Sequence, residues 1–230
     1  QYDCCLAAQN LMLTAHDIAY RLGIGGFALV VTDAENAPKV QEAVRDGGFH
    51  LRCMVVGGEL PGWIRYPEKP PGLSSALPEK DASYRARTKS TDPLLIFFTS
   101  GTTGNPKMVL HDNSYPLGHI VTAQLWQDLR PTDLHFTISD TGWAKSAWGN
   151  LFGQWIAGSE VFVYDIRKKF DPAEIPPLLE KYRITSFCCP PTVYRMLILL
   201  DLKAYNFSRL RHCTSAGEPL NPEVIRIWKE

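Results

Sequence analysis

Short runs of β-branched and aromatic residues alternate along this chain with segments that read as helices. Phe27 to Thr32, "FALVVT", reads as a strand, Asn36 to Arg45 as a helix, and Leu51 to Val56, "LRCMVV", as the returning strand. Further on, Leu94 to Phe98 and Met108 to Leu110 read as strands, Ser114 to Asp128 as a helix and Leu134 to Ile138 as extended chain. Ser146 to Ile156 follows as a helix and Val161 to Tyr164 as a strand. Between the early and middle strands lies "PGWIRYPEKPPGLSSALPEKDAS", broken by Pro, Gly and Ser, which predicts an irregular surface excursion over residues 61–92.

The last third carries clearer punctuation. Asp171-Pro172-Ala173-Glu174 combines an N-cap acid, a proline at the first helical position and a carboxylate placed to close a capping box. That helix is expected to reach about Arg183. Ile184 to Cys189 follows as an apolar strand, and Pro190-Pro191-Thr192 opens the next helix. "RHCTSAGEPL" reads as a strand ending in a turn, and Asn221-Pro222-Glu223 caps a final helix in the manner of Asp171. Such alternation predicts an α/β fold, a mainly parallel sheet with flanking helices. Ligands of such sheets sit at the carboxyl ends of the strands, where Thr99–Lys107 and Gly217–Pro219 fall.

Composition sets limits on this picture. With 230 residues and 45% hydrophobic content, the chain can fill one substantial core or two small ones. Lys+Arg and Asp+Glu balance at 24 each, so the overall field that gathers nucleic acid is absent. No apolar run is long enough to span a bilayer, and the opening residues lack the pattern of a secretory signal. The six cysteines include the adjacent pairs Cys4-Cys5 and Cys188-Cys189 but no C-x-x-C, which fits reduced thiols, some of them in the core.

The densest chemistry lies in "TSGTTGNPK", Thr99 to Lys107. It holds four hydroxyls, two glycines and one lysine in nine residues. Glycines let the backbone approach a ligand closely, a row of backbone N–H groups binds an anion, and a lysine neutralises phosphate. A Walker loop requires the lysine directly after the second glycine and a helix beyond it. Here Lys107 comes three residues after Gly104 and a strand follows, so that alternative fails on spacing. A plain hairpin explains the glycines, but not the hydroxyls and the lysine together.

This stretch resembles the phosphate-loop signature of the acyl-adenylate-forming enzymes, the superfamily of acyl-CoA synthetases, firefly luciferases and peptide-synthetase adenylation domains. The segment from Tyr115 to Asp165, "CCPPTVYRMLI" and "SAGEPLNPEV" are similar to regions of medium-chain acyl-CoA synthetases. From about Leu13 to Glu230 the order fits, while residues 1–12 match poorly. The resemblance implies an ATP-dependent ligase. A carboxylic acid, medium-chain or branched, attacks the α-phosphate of ATP, and coenzyme A then displaces AMP from the acyl-AMP.

By the same resemblance, Thr99, Ser100, Gly101, Thr102 and Thr103, with Gly104, hold the β- and γ-phosphates. Lys107 offsets charge on departing pyrophosphate, and it and Thr99 form the catalytic pair. Gly217, Glu218 and Pro219 lie against adenine, although on residues alone they read as a strand-to-helix turn. Asp140, Gly142 and Trp143 wall the acyl pocket. Trp148 and Trp155 are expected in the core, and Lys145 either meets the anionic coenzyme or is an exposed lysine at a helix start. His111, His119 and His135 read as packed or surface residues, since a carboxylic acid needs no base at neutral pH.

Residues 1–230 are thus expected to form an incomplete N-terminal AMP-binding domain. The carboxylate for Mg²⁺ and the small C-terminal domain with its lysine belong beyond Glu230 in relatives. A chain of this extent is expected not to complete the reaction alone. A non-catalytic nucleotide- or acyl-binding remnant is the competing reading. The expected compartment is the cytoplasm, or the mitochondrial matrix if a presequence lies upstream.

Overall fold

The computed structural model describes residues 5–67, 88–100, 104–166 and 169–230. They group into two compact units, one drawn from residues 1–8, 90–97 and 109–230 and the other from 9–89 and 98–108.

The smaller unit is built on three parallel strands, β2 (Leu29–Asp33), β3 (Arg52–Val56) and β4 (Ile64–Arg65), with β3 in the middle. Leu29 to Asp33 register against Arg52 to Val56 residue by residue. Among its described residues the predicted excursion contains one short strand, Ile64–Arg65. It pairs with Met54 and Val55, the apolar end of β3. Helix α1 (Ala15–Gly25) starts at a full capping box: Thr14 Oγ1 accepts from the Asp17 N–H at 3.2 Å, and Asp17 Oδ2 accepts from the Thr14 N–H at 3.0 Å. Helix α2 (Ala37–Asp46) buries Ala37, Val40 and Ala43, three positions one turn apart.

The larger unit carries a four-stranded parallel sheet in the order β10 (His212–Thr214), β9 (Ser186–Cys188), β7 (Leu134–Thr137) and β8 (Glu160–Val161). A second sheet orders β1 (Leu6–Ala7), β5 (Pro93–Thr99) and β6 (Lys107–Asp112), with β1 parallel to β5. Only residues 100–106 join β5 to β6, far too few for the crossover a parallel pair needs.

The core of this unit sits on β7 and β9. Phe136 and Phe187 are covered by Ile175 and Leu179 of α6 (Ile175–Lys181), Val193, Tyr194 and Leu197 of α7 (Pro191–Leu197), and Val224 of α8 (Pro222–Lys229). Phe187 and Ile175 are fully buried, each worth roughly 1.5–3 kcal/mol of transfer free energy. Val224 and Trp228, four residues apart, put one face of α8 on this core, while Arg226 pairs outward with Glu223 and Glu230. Cys188 and Cys189 are buried free thiols, and burial pushes both upward in pKa.

Several elements differ from the sequence expectation in physical detail. The expected helix 114–128 is α3 (Tyr115–Val121) continued by a π-helical turn, Thr122–Trp126. The expected helix 146–156 is α4 (Ala144–Ala147), a second π-helical turn, Trp148–Phe152, and α5 (Gly153–Ala157). Each π-turn widens the ladder by a residue. The box at Asp171 is half made. Its side chain accepts from the Ala173 N–H, but Glu174 accepts from the Tyr164 hydroxyl at 2.8 Å, so a 3₁₀ turn precedes α6. Asn221 caps α8 in the same one-sided way, accepting from the Glu223 N–H at 2.9 Å, because Val224 at the third helical position has no acceptor to return. Trp155, expected in the core, is 66% exposed. Trp148 is half-buried and stacks on His119.

Candidate functional site

The hydroxyl-rich stretch begins where β5 ends, at Thr99, and closes where β6 starts, at Lys107. Gly101, Thr102 and Thr103 lie outside the described residues. Thr99, Ser100, Gly104 and Lys107 are all exposed. Gly104 sits at φ +101°, a conformation side-chain-bearing residues rarely adopt. Helix α1 braces both flanks. The Tyr20 hydroxyl donates to the Pro106 carbonyl at 3.2 Å, and the Arg21 guanidinium lies 5.2 Å from the centre of the Phe98 ring.

The turn after β10 is fastened at Ser215, Ala216 and Glu218. Ser215 Oγ donates to the Cys189 carbonyl, at the end of β9, at 2.9 Å. The Lys145 ammonium, reaching from α4, donates to the Ala216 carbonyl. The Glu218 carboxylate accepts from the Thr192 hydroxyl and from Arg195 Nη2, the latter at 2.9 Å, both on α7. Those two donors, Thr192 foremost, hold the Glu218 carboxyl below its usual range. Between the fastened residues Gly217 takes φ +115° and is exposed, as is Pro219. The peptide at Gly217 is thus offered to solvent in a fixed orientation.

Asp140, Gly142 and Trp143 form the start of α4. Asp140 Oδ1 accepts from the Gly142 N–H at 2.7 Å, and the Trp143 N–H returns to the Asp140 carbonyl at 3.1 Å. The Asp140 carboxylate is therefore spent on a local turn. Trp143 is 59% exposed. A cleft of about 790 Å³ elsewhere in this unit, lined by Tyr194, Phe207, Leu220, Val224 and Trp228, does not include these three residues.

Below the site, His135 is fully buried between β9 and the second π-turn. Thr137 spends its hydroxyl hydrogen on the Gly149 carbonyl at 2.8 Å. It therefore accepts from His135 Nε2–H at 2.7 Å, leaving Nδ1 to accept from the Ser186 hydroxyl at 2.9 Å. Desolvation holds the ring neutral, lowering its pKa to about 4. This chain of bonds pins the π-turn directly after α4, and so the helix that carries Lys145. His119, lowered in pKa by burial, packs against Tyr115 with ring centres 4.5 Å apart, as does His111 at 4.4 Å. Of the two readings the sequence leaves open for these three histidines, packed or surface, the structure has them packed.

The structure thus adds residues to the predicted set. Thr192 and Arg195 belong to the turn because they hold Glu218. Lys145 is neither a free surface lysine nor a bare cation, but a half-buried brace on Ala216. No local pattern marks it, since its partner lies 71 residues away. For Mg²⁺ the described residues do not fit. Glu218 is already committed to α7, and among the described residues no three of His, Cys, Asp and Glu gather to hold a metal ion.

Parallel strands whose carboxyl ends carry glycine-bearing turns define an α/β ligand-binding domain. Comparison with known proteins makes this specific. Residues 2–230 match the family model described as AMP-binding enzyme. Mouse acyl-coenzyme A synthetase ACSM4, mitochondrial, is 41% identical over 222 residues, 96% of this chain and 37% of that protein. Human acyl-coenzyme A synthetase ACSM3, mitochondrial, is 41% identical over 219 residues, 94% of this chain and 36% of that protein. The crystal structure of an acyl-CoA synthetase from Brucella canis superposes with a TM-score of 0.75 at 27% identity, covering 96% of this chain and 40% of that one. The chain belongs to the AMP-binding enzyme family. It spans little more than a third of the length of the curated relatives it matches.

Proposed function

We propose that this chain is the nucleotide-handling part of an AMP-forming acyl-CoA ligase that activates a medium-chain or branched carboxylic acid. In the first step a carboxylate oxygen of the acid bonds to the α-phosphorus of ATP, and the bond to the β-phosphate oxygen breaks, releasing pyrophosphate. In the second, the thiol of coenzyme A attacks the acyl carbon, the acyl–oxygen bond breaks and AMP leaves with the electron pair. The protein's share is alignment and charge neutralisation.

The observation that carries the reading is the Thr99–Lys107 stretch, with its hydroxyls, the exposed Thr99 and Ser100, the left-handed Gly104 and the single, exposed cation Lys107. We assign Thr99, Ser100, Gly101, Thr102, Thr103 and Gly104 to the phosphates and Lys107 to the departing pyrophosphate. Gly217, Glu218 and Pro219 go to the adenine, with the exposed Gly217 peptide as the contact and Glu218 as its anchor on α7. Asp140, Gly142 and Trp143 go to the acyl side, where Trp143 offers an apolar face and Asp140 shapes the turn that presents it. ATP and coenzyme A are the co-substrates. No helix among the described residues is long and apolar enough to cross a membrane. Both mammalian relatives are mitochondrial by name, a compartment compatible with free thiols.

The test is acid-dependent exchange of labelled pyrophosphate into ATP by the full gene product that carries this chain. Lys107→Ala is expected to lower the exchange by about a hundredfold. Undiminished exchange in that variant overturns the assignment. AMP binding without exchange in the wild type points to the non-catalytic remnant.

A further inference from the structure

We infer that Lys145 is a positioning residue, one that sets the adenine-side turn from the acyl-side helix. The inference rests on the function proposed above, because it takes the turn at Gly217 as the nucleotide's contact.

Four observations carry it. Lys145 stands two residues after Trp143, in the first turn of α4, and is half-buried. Its ammonium donates to the Ala216 carbonyl, and its Nζ would lie 3.6 Å from a Cβ added at Gly217. Ala216 precedes the exposed Gly217, whose φ of +115° suits glycine alone. The base of α4 is itself fixed, since Gly149 is bound by Thr137, which His135 holds in turn. The brace is therefore mounted on a rigid seat.

A lysine used only for solubility points to water, and one used for an ion pair finds a carboxylate. Lys145 does neither: among the described residues its hydrogen-bond partner is a neutral carbonyl. A cation on a carbonyl makes a charge-assisted hydrogen bond, stronger than a neutral one. It also polarises the Ala216–Gly217 peptide, whose N–H belongs to Gly217. The same side chain thus fixes the orientation of that peptide and sharpens it as a donor. Movement of the Trp143 segment is passed through Lys145 to the turn at Gly217, which couples the two substrates' sites mechanically.

The experiment uses the full gene product as wild type, K145M, K145Q and K145R. Affinity for AMP is measured by calorimetry, the apparent KM for pyrophosphate in the exchange in parallel, and the kinetic constants for ATP by the same exchange. K145M and K145Q are expected to weaken AMP about tenfold and to raise KM for ATP alike, with kcat within about threefold and the pyrophosphate constant unchanged. K145R is expected to recover most of the loss, since it keeps the cationic donor. AMP affinity unchanged in K145M and K145Q overturns the inference, as does an equal loss for AMP and pyrophosphate. Loss of the fold in both variants makes Lys145 a folding residue and also overturns it. A wild type that neither binds AMP nor exchanges sinks the proposed function itself, and the inference with it. A wild type that does both beside unaffected variants sinks the inference alone.

Discussion

Arg195 donates to the carboxylate of Glu218 at 2.9 Å, and that contact holds the acid of the Gly217–Pro219 turn against α7. Glu218 thereby fastens the turn. The pair is half-exposed, and exposed ion pairs contribute little to stability. Arg195→Ala is expected to leave the melting temperature nearly unchanged while weakening AMP by about threefold, because the turn loses one of its moorings. Calorimetry and thermal unfolding on the same samples check both halves.

Gly217 at φ +115° is the second point of leverage. An added Cβ meets only ordinary contact, with Lys145 Nζ at 3.6 Å, so the cost of Gly217→Ala is conformational. Such backbone strain costs about 1–3 kcal/mol. The variant is expected to relieve it by rotating the peptide, which lowers AMP affinity more than it lowers stability. Comparing its AMP constant with its unfolding midpoint tests this.

Acid is expected to destabilise the chain through His135. In the folded state its pKa is about 4, against an ordinary 6.5. Between these values the unfolded state takes up a proton that the folded state refuses, so stability is present above 6.5 and lost as the pH falls towards 4. From pH 7.5 to 5.5 the loss is about 1 kcal/mol. His119, also held below its usual value by burial, adds in the same direction. Denaturant unfolding at the two pH values should show this slope, and His135→Gln should flatten most of it.

Asp133 is 3% exposed and joins three elements. Its carboxylate accepts from Arg211, from the Thr185 hydroxyl at 2.7 Å and from the Arg130 N–H at 2.8 Å. Asp133→Ala strands these donors and is expected to cost about 2–4 kcal/mol. Asp133→Asn keeps an acceptor and should cost less. Urea unfolding of both variants decides.

The alternation that predicts the parallel sheet is visible in "FALVVT", "LRCMVV" and "ITSFCC", short apolar runs of which only Ser186–Cys188 is buried throughout, while Leu29 and Val31 of β2 are exposed. Proline at the first helical position marks α7 and α8, and Pro172 the 3₁₀ turn before α6, because a missing N–H is harmless only there. Helix α1 escapes such a reading although Thr14 and Asp17 cap it fully, since Asp stands where the usual box has Glu or Gln. The π-turns at Thr122 and Trp148 leave no compositional mark, being set by tertiary bonds such as Thr137 to Gly149. In the candidate site the glycines and Lys107 are legible as chemistry. The brace from Lys145 and the hold of Thr192 and Arg195 are not, because they join residues far apart in the chain.

The widened turn at Trp148–Phe152 acts as a phase adjuster. Tightened to an ordinary helical turn at the same chain length, it would swing every later side chain of α5 by about 100°. Gln154, which donates to Gln127 at 3.3 Å in the buried interior, then faces elsewhere, and an outward residue such as Trp155 comes round in its stead. The extra width is therefore what keeps Gln154 inward at this chain length, and one residue fewer within the turn would leave an ordinary helix with α5 in nearly the same phase.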